Sequence, residues 1–192
     1  MSLEEVQNQA ESCISCELHT TRLTPVFAKG SPFSKIMICG MCPGPDENSE
    51  FNEVGHPFVG RAGKHLNEIL EDTNLTQKDV YITNVVKCYV KPGIRLEDRW
   101  IDCCLPYLIN QIACIEPKVI VALGADAGRA LLNKSVSTSL SSMRGKRYKF
   151  TDNISIVVTY HPSYFLRSGG RKHKHYNRIL EDLEWVKEIV NR

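Results

Sequence analysis

The chain has 192 residues, 42% hydrophobic and 24% charged, with 24 basic against 22 acidic side chains for a net charge of +2. That length suits one core of ordinary size, and no apolar run approaches the about 20 residues of a membrane span, so a soluble protein with a single domain over 1–192 is expected. So small a net charge names no partner, and the acidic opening "MSLEEVQNQAESCISC" lacks the basic and apolar regions of a secretory signal, which points to an intracellular, cytoplasmic protein.

In chain order, the first chemistry is the pair Cys13-x-x-Cys16. Eight cysteines without a secretory signal argue for a metal, a cluster or catalysis and against a disulfide framework. Cys88 and Cys104 complete a set of four thiolates able to hold a 4Fe-4S cluster or a zinc ion, and spacing does not separate the two. A thioredoxin-like redox pair fits less well, because no strand precedes Cys13. Cys39, Cys103 and Cys114 lie in or beside apolar segments and read as small buried hydrophobes.

Four short apolar runs, each ended by a turn signal, predict buried strands: "KIMICG" at 35–40, "VYITN" at 80–84, "KVIVALG" at 118–124 and "ISIVVTYHP" at 154–162. Between and after them the helical spacing of apolar residues recurs through Ala62, Leu66, Ile69 and Leu70, through Ile101, Leu105, Leu108, Ile112 and Ile115, and through Tyr176, Ile179, Leu180, Leu183, Val186 and Val190. A shorter helix is predicted over 125–132. Continuous apolar strands alternating with helices describe a parallel sheet covered on both faces, hence an α/β fold: a three-layer α/β/α sandwich around a four-stranded parallel sheet. The predicted mobile loops are 45–55, 91–97, 133–142 and 168–174.

Ligands of open α/β sheets bind outside the carboxyl ends of the strands. Here those ends carry residues 40–44, Asn84, Gly124 and the triplet Tyr160, His161, Pro162, with Pro57 and Phe58 arriving from the first long loop. Basic residues crowd "MRGKRYK" and "RSGGRKHKHYNR", which either form a phosphate-binding rim or are a solvated surface.

Together "PFVGRAGKHLNEIL", "VYITNVVKC", "CLPYLINQIACIEPKVIVALGADA", "MRG" and "VTYHPSYFLR" resemble the iron-sulfur uracil-DNA glycosylases of family 4, in order and from Cys13 to about Leu183. The resemblance implies a structural 4Fe-4S cluster on Cys13, Cys16, Cys88 and Cys104, with Cys104 favoured over Cys103 because it stands before "LPYL". It implies DNA as partner, with a uracil or related base flipped into the pocket, as chemistry on a stacked base requires. Phe58 would stack on that base, Asn84 would read its edge, and His161 would donate to the carbonyl oxygen that gains charge as the glycosidic bond breaks. Tyr164, Phe165, Leu166 and Arg167 match a loop that enters the minor groove, and Arg144, Arg171 and Lys172 would join Arg167 in phosphate contacts.

The first motif departs from the family. Gly40-Met41-Cys42-Pro43-Gly44 stands where the family has Gly-Glu-Gly/Ala-Pro-Gly, so the turn is kept and its glutamate is replaced by Met41. Either Asp46 or Glu47 supplies the missing charge, or the pocket is retuned to another base with Met41 and Cys42 reshaping its wall, or the protein binds without efficient cleavage. Cys42 reads as a wall residue, since no histidine adjoins it in sequence to activate it. The competing functions are therefore a glycosylase, a DNA-binding module, a base-exchanging enzyme and a colourless zinc protein. A monomer is expected, and covalent trapping is not, because "YVKPGIRLEDRW" lacks the histidine of the branch that shows it.

Overall fold

The computed structural model describes residues 1–52, 54–166 and 169–191. Six strands, β1 (Ala28–Gly30), β2 (Ile36–Gly40), β3 (Val80–Asn84), β4 (Val119–Leu123), β5 (Arg147–Lys149) and β6 (Ser155–Thr159), form one sheet in the order β1-β3-β2-β4-β6-β5. The helices are α1 (Leu3–Glu11), α2 (Arg61–Asp72), α3 (Asp98–Ile115), α4 (Gly124–Leu132), α5 (Leu140–Met143), α6 (Ser163–Leu166) and α7 (Tyr176–Asn191).

The four expected strands are the parallel centre, paired in register as Ile38 with Ile82 and Val121, and Val121 with Val157. Every residue of these strands is buried. Period-two alternation sends Ile36, Ile38, Val80, Ile82, Val119, Val121 and Val157 to one face, against Leu66, Ile69 and Leu70 of α2 and Ile179, Leu183 and Val186 of α7. Met37, Cys39, Tyr81, Ile120, Ala122, Ile156 and Val158 face the other way, against Trp100, Leu108 and Ile112 of α3 and Ala127 of α4. Each fully buried large aliphatic side chain contributes about 1.5–3 kcal/mol, so runs buried on both faces hold all three layers together.

The sheet is wider than the four strands expected. Its extra members β1 and β5 are antiparallel edges of three residues each, reading "AKG" and "RYK". Neither carries an apolar run, because a short, lysine-bearing edge meets water and needs none. The N-terminal segment also folds: Ser2 and Glu5 form a reciprocal capping box that opens α1, whose Val6 and Ala10 pack with Phe27 beside Tyr107 and Cys114 of α3.

In the sheet β2 is flanked by β3 on one side and by β4 on the other. The crevice for a ligand therefore opens where the turn after β2 leaves the sheet, between the ends of β3, β4 and β6.

Candidate active site

Gly40 ends β2 opposite Asn84, the last residue of β3. A Cβ on Gly40 would collide with the Asn84 Oδ1 atom and lie 2.9 Å from Cζ of Phe58, so only glycine lets these two side chains close on the same point. Asn84 and Phe58 are almost wholly buried, and the Phe58 ring lies 5.9 Å from that of His161, tilted by 33°. Phe58 adopts a left-handed φ of 54°, which a bulky residue tolerates only when its surroundings impose it. Lys29 Nζ donates to the Phe58 carbonyl at 2.9 Å, and Gly63 of α2 passes so close to the Phe58 backbone that no side chain would fit there.

His161 follows β6, and the Ser163 backbone N–H donates to its Nδ1 at 3.2 Å, with the Ser163 hydroxyl 2.7 Å from the same atom. A nitrogen that accepts a backbone N–H carries no proton, so the neutral ring has its N–H at Nε2. Burial lowers the His161 pKa to about 4, with Asp126 opposing the shift. At neutral pH the ring is an uncharged donor.

The turn after β2 is tied to the continuation of β3, where Val85 and Val86 donate to the carbonyls of Gly40 and Met41 at 2.9 Å. Met41 and Cys42 pack against the apolar cluster on the α3–α4 face. Burial, then the charges of Asp126 and Glu47, push the Cys42 thiol up to about 11, which leaves it protonated and unsuited to nucleophilic attack.

The two expected carboxylates differ in burial. Glu47 is buried and accepts from the Gly44 N–H at 2.5 Å and the Val59 N–H at 3.2 Å, which makes it the pin that fastens the turn to the loop carrying Phe58. Asp46 is exposed and lies against Gly60, the residue that caps α2.

The C-terminal basic stretches are only partly open. Phe165, expected as part of an apolar wedge, has no exposed surface: the single turn of α6 aims it inward among the rings of His65, Tyr160, His173 and Tyr176. Tyr164 is 44% exposed and Leu166 half-buried, so both reach the surface where Phe165 does not. Arg144, expected on phosphate, instead donates to Asp182 at 2.7 Å and to the Arg178 carbonyl at 2.6 Å, its guanidinium over the Tyr160 ring. Arg171 pairs with both oxygens of Asp72 at 2.9 and 2.8 Å yet stays exposed, as does Lys172. Arg167 and Ser168 lie outside the described residues.

At the other end of the β3 continuation, Cys13, Cys16, Cys88 and Cys104 surround a small pocket with Leu18, Val86 and Trp100. Cys103, expected as a buried hydrophobe, is half-exposed and lines the same pocket. Arg22 Nη1 donates to Cys88 Sγ at 3.1 Å, and the Lys87 N–H donates to Cys104 Sγ at 3.2 Å, donors that suit anionic sulfur. Burial raises Cys13, but hydrogen bonds from Tyr107 and Ser15 and the charge of Arg22 outweigh it and hold the thiol below its ordinary value. Among the described residues no three His, Cys, Asp or Glu side chains converge as one small ion requires. Four thiols lining one pocket, two of them accepting hydrogen bonds, fit a thiolate-held metal centre.

A sequence profile of the uracil DNA glycosylase superfamily matches residues 27–184, from just before β1 to within α7. The chain belongs to this superfamily. Among its relatives are a Type-4 uracil-DNA glycosylase of Thermotoga maritima, 34% identical over 190 residues covering 99% of this chain and 95% of the relative, and one of Sulfurisphaera tokodaii, 36% identical with 98% and 85% covered. A Type-5 uracil-DNA glycosylase of Pyrobaculum aerophilum is more distant, 26% identical with 77% and 69% covered.

In this superfamily member Lys87 was not anticipated from the sequence. It is 1% exposed, and its Nζ donates to Thr83 Oγ1 at 2.7 Å, the Asn84 carbonyl at 2.6 Å and Gln111 Oε1 at 2.5 Å. Burial lowers its pKa to about 8, opposed by Cys104 and Cys39. One lysine thus ties the residue at the pocket to the strand end beside the thiols. Its signal was a charged residue inside the apolar run "NVVKC", since a lysine is almost never fully buried without partners.

Proposed function

We propose that the protein is a DNA-repair glycosylase that flips uracil, or a related deaminated base, out of DNA and hydrolyses its N-glycosidic bond to leave an abasic site. The observation that carries this reading is that Asn84 and Phe58 close on Gly40 at the carboxyl ends of the strands, with the His161 ring beside that of Phe58. Phe58 stacks on the base, the Asn84 amide donates and accepts along its edge, and His161 Nε2–H donates to the carbonyl oxygen that gains charge as the bond breaks. A neutral donor suits that role, because it stabilises the developing anion and keeps its proton through the step. In this reading the exposed Tyr164 and half-buried Leu166 fill the gap that a flipped base leaves in the stack, and the exposed Arg171 and Lys172 contact the backbone.

Cys13, Cys16, Cys88 and Cys104 hold a 4Fe-4S cluster in this reading, which supplies a covalent tether between the N-terminal segment, the end of β3 and α3. The protein acts as a monomer of one domain. A second reading, a family member that binds DNA or acts on another base, is favoured by Met41 in place of the motif glutamate.

The test is cleavage of uracil-containing oligonucleotides, single-stranded and in U:G and U:A duplexes, scored as alkali-labile breaks. The expected result is cleavage by the wild type and a loss of about 10²–10³ in rate in His161→Ala, the usual cost of removing one donor to a developing oxyanion. Salt-sensitive DNA binding with no cleavage of any uracil substrate would favour the second reading.

A further inference from the structure

We propose that Asp126 supplies the carboxylate beside the scissile bond that Met41 does not, an inference that rests on the glycosylase reading above. β4 lies between β2 and β6 in the sheet, with Cys39 opposite Ala122 and Leu123 opposite Thr159. The first turn of α4, which carries Asp126, therefore emerges between the turn holding Met41 and the strand end holding His161. The contact is close: a Cβ on Gly124, which has φ of 89°, would lie 3.1 Å from Cβ of His161.

Met41, Cys42, Asp126 and Arg129 line one open groove. By strand alternation Gly40 shares the face of Asn84 and Ile82, and Met41 is turned to the α3–α4 face, where Asp126 lies. A glutamate at position 41 would project to the side on which Asp126 already stands. The charge of Asp126 reaches both neighbours, opposing the lowered pKa of His161 and adding to the raised pKa of Cys42. Its side chain is 72% exposed and paired with Arg129, whose Nη1 is held by the Thr138 carbonyl at 2.8 Å. Glu47 is committed to two backbone N–H groups, and Asp46 lies at the start of α2.

In the hydrolysis the oxygen of a water molecule bonds to the sugar C1′ as the bond from C1′ to the base breaks. The bonding pair leaves on the base, whose carbonyl accepts a hydrogen bond from His161 and which takes a proton from solvent afterwards. The water proton passes to Asp126 and then to bulk, and the carboxylate faces the positive charge on the sugar until the new bond forms.

Single-turnover and steady-state cleavage of a uracil oligonucleotide by wild type, Asp126→Asn, Met41→Glu and the double variant test this. Asp126→Asn is expected to lose about 100-fold in kcat with KM within about threefold, the pattern of an interaction made only in the transition state. The double variant, with a carboxylate returned at position 41, is expected to recover at least about tenfold over Asp126→Asn. Unchanged melting of Asp126→Asn separates this from misfolding, and Asp126→Ser repeats the measurement if asparagine disturbs the turn. A wild type that cleaves uracil while both position-126 variants stay within about threefold of it overturns this inference alone. A wild type that cleaves no uracil overturns the glycosylase reading and this inference with it.

Discussion

The strand-end pocket proposed for the base and the thiol pocket sit at two ends of one short stretch, Asn84 to Cys88, and are built in opposite ways. At Asn84 the protein closes on itself: a glycine cleared of side chain, a strained Phe58 held by Lys29, and a histidine whose tautomer Ser163 sets. At Cys88 sulfurs from the N-terminal segment, the β3 continuation and α3 line one pocket, and Arg22 and the Lys87 N–H donate to two of them. At the first end the chain supplies every contact and preorganises the site; at the second it brings together donors of the kind that bind metal.

If that contrast holds, the largest effect belongs to the thiol end. Cys88→Ser and Cys104→Ser are each expected to abolish the brown colour of a cluster and to lower the melting temperature by more than about 10 °C, since metal-site binding energy is folding energy. A colourless wild type of full stability would remove the cluster from the account. Proteolysis of either variant should then cut first in the segment around Cys13 and Cys16, which fewer packed side chains tie down than hold the sheet.

Titration of the pocket end comes next. The His161 pKa is lowered from the ordinary 6.5 to about 4, so the folded state disfavours the protonated ring. Its contribution to stability is fully present above pH 6.5 and is lost as pH falls through about 4. A tenfold difference in proton affinity between folded and unfolded chains is worth about 1.4 kcal/mol, so the effect is large enough to measure. Urea melts between pH 7 and 4 should show the wild type losing more stability than His161→Asn. Parallel curves would mean that the ring is not held neutral.

The smallest effect should come from the link between the two ends. Lys87→Met removes the lysine donor from the Asn84 carbonyl and from Gln111 Oε1, which keeps only the Thr83 hydroxyl, and is expected to cost about 1–3 kcal/mol in denaturant melts, partly offset by the removal of a buried charge. It should also weaken discrimination between uracil and thymine more than it weakens DNA binding, because the carbonyl that Lys87 holds belongs to the base-reading residue. Equal losses in both would make Lys87 a core residue and nothing more.

Much of the fold was legible from residue order because the relevant signals are local. Runs such as "KVIVALG" and "VYITN" are apolar at nearly every position, which a strand buried on both faces explains, and their last residues mark the site by the rule for open α/β sheets. The edge strands β1 and β5 were not legible, since three residues at a wet edge need no pattern. The capping box Ser2-x-x-Glu5 was present in the sequence as a start signal for α1. Phe165 and Arg144 show the opposite error: an aromatic and an arginine near a loop look available until the fold buries one and pairs the other with Asp182.

Residue order alone was enough to establish the layers and the strand ends that carry Gly40, Asn84 and His161, because hydrophobic period and residue chemistry are properties of neighbours along the chain. The assembled fold was needed to show that Glu47 pins a turn, that Asp46 lies at α2, that Lys87 spans the two pockets and that Asp126 lines one groove with Met41. Those facts depend on the order of strands in the sheet, which brings together residues scores of positions apart, and a side chain's charge acts through the distance in space that this order sets.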